Sequence, residues 1–137
     1  MKSKILLTTV ITLFSSLALA GLHAPAPIII DLDAGFSQGD MLTAANSVNS
    51  DEFIGCGTRS VDDGVNPAFR FGFCQAQLNG GESLVCTTVN DALIDEIRAS
   101  NDFSFVTFSW TDDGAGVLTC TRVGFSTQSF YLDKVKN

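Results

Sequence analysis

FSFVTFSW at 103–110, TDDGAG at 111–116 and VLTCTRV at 117–123 read together as a β-hairpin. Phe, Val, Phe and Trp fill a segment too short for a helix, and aromatic and β-branched residues suit a pleated, half-buried surface. Asp112, Asp113, Gly114, Ala115 and Gly116 supply the side-chain hydrogen bonds and positive-φ positions of a reversal, and alternation resumes at Val117. A turn centred on Asp113 sets Trp110 opposite Gly116, Phe108 opposite Leu118 and Val106 opposite Cys120. One face is then almost wholly apolar. The other pairs Thr107 with Thr119 and Phe105 with Thr121. A slip of one residue would exchange the two faces.

The same turn chemistry occurs upstream. Asp62-Asp63-Gly64 separates EFIGCGTRS from AFRFGFCQA, and Asn79-Gly80-Gly81 follows. Strands are expected at 52–59, 68–77 and 83–88. A turn near Val65 places Cys56 opposite Cys74, and one on Gly80 places Cys74 opposite Cys86. Both registers cannot become bonds. Four cysteines allow three connectivities; Cys56–Cys74 with Cys86–Cys120 is the favoured one, because its second bridge ties the central strands to the hairpin.

Between these strands and the hairpin lies one helix. Asn90 serves as N-cap, Asp91 sits in the first turn, and Leu93, Ile94 and Ile97 form an apolar stripe, with Val89 and Ile94 placed as a staple. A helix of about ten residues is not stable alone, so the stripe must dock on the sheet.

At the other end, Lys2 and Lys4 precede the apolar run ILLTTVITLFSSLALA, which closes on Ala18-Leu19-Ala20. This is the pattern of a secretory signal peptide over 1–20, and it implies a secreted or periplasmic product not inserted in a membrane once the signal is removed. The chain has 137 residues and a net charge of −7; the first 20 hold two lysines and no acid, so their removal leaves −9. Such acidity argues against nucleic-acid partners, which reward lysine and arginine. Residues 21–39, with two prolines at alternate positions, read as an extended arm or loosely docked edge strand. Residues 40–137 then form one domain. Its first strand is expected at Met41–Ser47, where Ala-rich sequence also suits a short helix, and its last at Phe125–Leu132. The expected fold is mainly β with one helix, in the order β-β-β-β-α-β-β-β. It is either an OB-like partly open barrel or an antiparallel sheet with the helix packed on it.

At FIGC, FGFC-QA, VCTT, SFVTFSW, CTRV and SFYL the chain resembles small exported bacterial proteins of unknown function, over about Met41 to Leu132. The resemblance implies a two-disulfide, aromatic-rich β domain and no catalytic residue.

Catalytic chemistry is poorly served by this composition. Histidine occurs once, at His23 on the arm, so a Ser-His-Asp or Cys-His site lacks a rigidly held base. In an oxidising compartment Cys56, Cys74, Cys86 and Cys120 are expected as disulfides, not thiols. There is no CxxC and no nearby histidine for a metal or cofactor. Asp31, Asp33 and Gly35 only begin a calcium-loop spacing. Asp62 with Asp63 and Asp112 with Asp113 could serve as the paired carboxylates of a hydrolase, but each pair precedes Gly in a turn that favours Asp for backbone reasons. The reading is therefore of a non-catalytic binding module for an envelope protein or glycan. Its candidate site is Trp110 with Asp112 and Asp113, joined by Asp62 and Asp63 if the two loops meet. The alternatives are a carboxylate-dependent hydrolase, which needs those loops to converge, and a structural envelope component, which needs no concave pocket.

Overall fold

The computed structural model describes residues 22–81 and 83–132. The expected signal peptide and the C-terminal lysines lie outside them. Among the described residues seven strands form one sheet: β1 (Ile29–Asp31), β2 (Phe36–Asp40), β3 (Phe53–Val61), β4 (Phe69–Gln77), β5 (Leu84–Thr88), β6 (Phe105–Asp112) and β7 (Leu118–Ser126). Their spatial order is β1-β2-β6-β7-β5-β4-β3. Neighbours are antiparallel except β5 and β7, which run parallel through the single pair Thr87 and Thr119. The fold is mainly β, as expected, but the sheet is mixed and not closed. It curls until β3 stands near β2 and β6 without hydrogen-bonding to either.

The N-terminal segment departs from expectation. Residues read as an arm contain β1 and β2, and β2 is an interior strand between β1 and β6. What admits it is a close backbone approach at Gly35, which has φ 64° and accepts a 2.9 Å hydrogen bond from the Trp110 amide. A Cβ there would lie 2.8 Å from the Trp110 carbonyl oxygen, so only glycine fits.

Met41–Ala45 is a helix, α1, not the first strand. Asp40 ends β2 and caps the helix: its carboxylate accepts from the amides of Leu42 at 3.2 Å and Thr43 at 3.1 Å, and from the Thr43 hydroxyl at 2.6 Å. The second helix, α2 (Asp91–Arg98), starts where expected, with the Asn90 side chain accepting from Ala92 and Leu93. Val89 is 76% exposed, so the staple does not form and the cap rests on Asn90. Ile94 and Ile97 are buried over Gly72 of β4, where a Cβ would meet Ile97 Cδ1 at 2.7 Å and Ile94 Cγ1 at 3.4 Å. Gly72→Val should therefore cost about 1–3 kcal/mol by overpacking, although valine usually suits a strand. Urea denaturation measures this; an unchanged midpoint would mean that α2 does not press on β4.

The organising hairpin forms in a different register. Trp110 pairs with Cys120, Phe108 with Val123, Val106 with Phe125, Thr107 with Gly124 and Phe105 with Ser126. The loop is wider than a tight turn because the aspartates bind it from within: Asp112 accepts from Gly114, and Asp113 accepts from Ala115 and Val117. Val106, Phe108 and Trp110 alternate along one strand and so share one face in any register; their partners lie four residues beyond the expected one at Trp110 and five beyond it at Phe108 and Val106. A bulge opposite Ser109 and Trp110 then leaves Thr121 unpaired and turns Val123 inward beside Cys120. The expected last strand is absent too. Phe125 belongs to β7, and Ser129–Tyr131 is a 3-10 turn that stacks Tyr131 on Phe105 at 5.1 Å.

Both cysteine registers occur at once, Cys56 opposite Cys74 and Cys74 opposite Cys86. The bonds are Cys56–Cys74 and Cys86–Cys120, which is compatible with an oxidising extracellular or periplasmic location. Cys74, Ala76, Leu84, Cys86, Val106, Phe108 and Cys120 form the core on the sheet's inner face. Phe69, Phe71 and Phe73 alternate with the buried residues of β4 and form a ladder on the outer face, where Phe69 is 56% exposed.

Candidate functional site: the open end of the curled sheet

Strand direction decides which loops meet. β2, β3, β5 and β7 run one way, and β1, β4 and β6 the other. The loop after β3, with Asp62 and Asp63, therefore lies at the opposite end of the sheet from the loop after β6, with Asp113. The convergence that a two-carboxylate reaction requires is not made by these residues.

Instead, the two loops share a local geometry. Asp62 accepts from the Gly64 amide at 2.9 Å and Asp112 from Gly114 at 2.8 Å; Asp63 accepts from Val65 at 2.9 Å and Asp113 from Ala115 at 2.8 Å. The repeated Asp-Asp-Gly is a repeated turn. Asp63 is held further by the Asn66 amide and the Asn66 side chain, both at 2.8 Å. These two bonds, and then that from Val65, stabilise the carboxylate and bring its pKa from 3.8 to about 2. A depressed pKa contributes order that is complete above the ordinary value and lost as pH falls through the folded one. The loop should therefore stay ordered at pH 4 and loosen toward pH 2. A carbon-detected NMR titration should place the Asp63 midpoint near 2, and Asn66→Ala should raise it; a midpoint at the ordinary value would remove the Asn66 bonds from the account.

At the other end, the turn after β1, the β4–β5 loop and the β6–β7 loop surround a cavity of about 670 Å³. Ile30, Leu32, Leu78, Leu84, Val85 and Leu118 supply its apolar lining, and Gly81, Ser83 and Gly116 also border it. Ile30, Leu84 and Leu118 reach it from the inner face of the sheet, and Leu32 stands 72% exposed in its turn. Asp51 steadies the far wall by accepting from the Gly80 amide at 3.0 Å. Among the described residues, none covers the inner face here.

Of the five expected site residues, Asp112 and Asp113 flank this opening and Asp62 and Asp63 do not. Trp110 is 8% exposed and packs at 5.8 Å from Phe108, so it is a core residue and not an open stacking platform. The lining leucines escaped notice, although two carry a signal: Leu32 sits between two aspartates in a turn, and Leu78 precedes Asn-Gly-Gly. No family model, no curated protein and no solved structure matches this chain. What stands of the resemblance drawn from cysteines and aromatics is the architecture, four cysteines in two disulfides within an aromatic-rich β domain.

Acidic residues occur at both ends of the sheet, but the described basic residues keep away from the open end. The loops at the open end carry Asp31, Asp33, Asp51, Asp112 and Asp113. None of the four arginines among the described residues lies in them. Arg59 and Arg70 are toward the other end of β3 and β4, with the Arg59 guanidinium 4.9 Å from the Phe73 ring centroid. Arg98 is ion-paired with Asp95 on α2 at 3.7 Å, and Arg122 donates to the Thr107 hydroxyl from β7. Among the described residues no three His, Cys, Asp or Glu side chains are grouped to hold a metal ion.

Proposed function

We propose that this protein is an exported, non-catalytic binding module that seats an apolar group of an envelope partner in the open end of its curled sheet. The observation that carries the reading is the uncovered cavity of about 670 Å³ with six aliphatic side chains in its wall. Concave, mainly apolar sites at the mouths of curled sheets are where binding energy concentrates, because the ligand and the wall both leave water there. A purely structural role gives no reason to leave such a hollow open. The acidic turns supply no converging pair for hydrolysis, and each aspartate in them already serves its own loop.

The test uses an environment-sensitive apolar dye on the disulfide-bonded protein. The dye should brighten and shift to the blue, and Leu32→Asp should abolish most of the effect while leaving near-ultraviolet circular dichroism unchanged. Leu32 is exposed, so its replacement leaves the core intact. Equal dye binding by the variant would move the site elsewhere.

A further inference from the structure

We infer that the open end selects a cationic, apolar peptide segment of another protein, inserting its aliphatic or aromatic side chains and pairing its lysines or arginines with the rim. This rests on the binding-module reading and specifies the ligand for the same site. The inference comes from two features that coincide there. The wall is aliphatic, so what enters it must be apolar. The bordering turns carry Asp31, Asp33, Asp112 and Asp113 on one side and Asp51 on the other, with no lysine or arginine among their described residues.

Like charges on that rim would repel an acidic partner and draw a basic one, which adds to the on-rate and to selectivity more than to raw affinity. The carboxylates are distributed over separate loops on two walls. A chain bearing several spaced cations therefore matches them better than a ligand with one charged head. The cavity also opens at the ends of hairpins, where an extended segment can lie across the rim while single side chains descend into it.

The experiment is fluorescence anisotropy of three labelled peptides against the intact, disulfide-bonded protein: one of alternating leucine and lysine, one with glutamate for lysine, and one with serine for leucine. The leucine–lysine peptide should bind at least tenfold more tightly than either of the others. The triple variant Asp33→Asn/Asp112→Asn/Asp113→Asn should weaken it at least fivefold, since asparagine keeps the oxygen that accepts the loop hydrogen bonds but removes the charge. Raising salt should weaken the wild type more than the variant. If the glutamate peptide binds equally well, the selection for cations is wrong while the apolar site survives. If the serine peptide binds equally well, attraction is by charge alone and the cavity reading falls with it. If a long-chain alkylamine binds and the leucine–lysine peptide does not, the site takes a small amphiphile and the peptide assignment is overturned.

Discussion

Replacing Cys86 and Cys120 together by alanine should lower stability by about 4 kcal/mol, the loop-closure entropy returned to an unfolded chain freed from a cross-link of this span. The two cysteines are 34 residues apart, and the bond joins β5 to β7. That junction is where the sheet is weakest, because Thr87 and Thr119 make its only register pair. On one side lie β1, β2, β6 and β7, on the other β5, β4 and β3. Without the bridge their connection depends on α2, which packs on β3, β4 and β7, on α1 against β3, and on the approach of β3 to β2 and β6. The Cys56–Cys74 bond differs. It spans 18 residues and lies within a hairpin already paired at nine positions. Its removal should cost about 3 kcal/mol by the same entropy argument and leave the ladder intact. Urea denaturation of the two double variants decides the matter. A larger loss from Cys56→Ala/Cys74→Ala would show that the parallel junction does not depend on its disulfide.

Phe108→Ala should cost about 3–5 kcal/mol, the range for deleting a buried aromatic ring and leaving part of its volume empty. Phe108 has no exposed surface, sits on a strand paired on both sides with Ser37 and Val123, and touches Trp110. The protein's single tryptophan reports on this directly. Its emission should shift to the red as water reaches the indole, and an acrylamide-type neutral quencher should become more effective. Phe105→Ala offers the comparison. Phe105 lies on the outer face, half-buried under Tyr131, and its loss should cost less. Equal costs at 105 and 108 would contradict the assignment of the inner face as the core.

The elements that proved legible are those whose signals are local. Asn90 caps α2 because its side chain reaches amides two and three residues along the same chain, and nothing distant is needed. The strands of the cysteine hairpins could be placed because turn residues at 62–64 and 79–81 fix both registers from within each hairpin. The pairing Cys56–Cys74 with Cys86–Cys120 is likewise the one in which a bond reaches from the cysteine hairpins to the distant one. Asp112 and Asp113 could be recognised as exposed turn residues, which is the part of the candidate site that sequence reached.

Where a residue's role depends on what lies across the fold, local reasoning failed. Trp110 stands beside an acidic turn in the sequence, but its side chain lies on the inner face of the sheet and is buried in the core beside Phe108. β2 was also hidden, since Phe36–Asp40 has little β-forming character and pairs only because Gly35 allows the approach to Trp110.

By itself, then, the amino-acid order determined the alternation, the turns, the helix cap and which cysteines could face one another, because those depend on neighbours along the chain. The tertiary structure alone decided the bulge at Thr121, the parallel contact of β5 with β7, the separation of the two Asp-Asp-Gly loops and the gathering of Leu32, Leu78, Leu84 and Leu118 around one cavity. Strand direction and burial across the whole sheet set these, and segments distant in sequence must assemble before either exists.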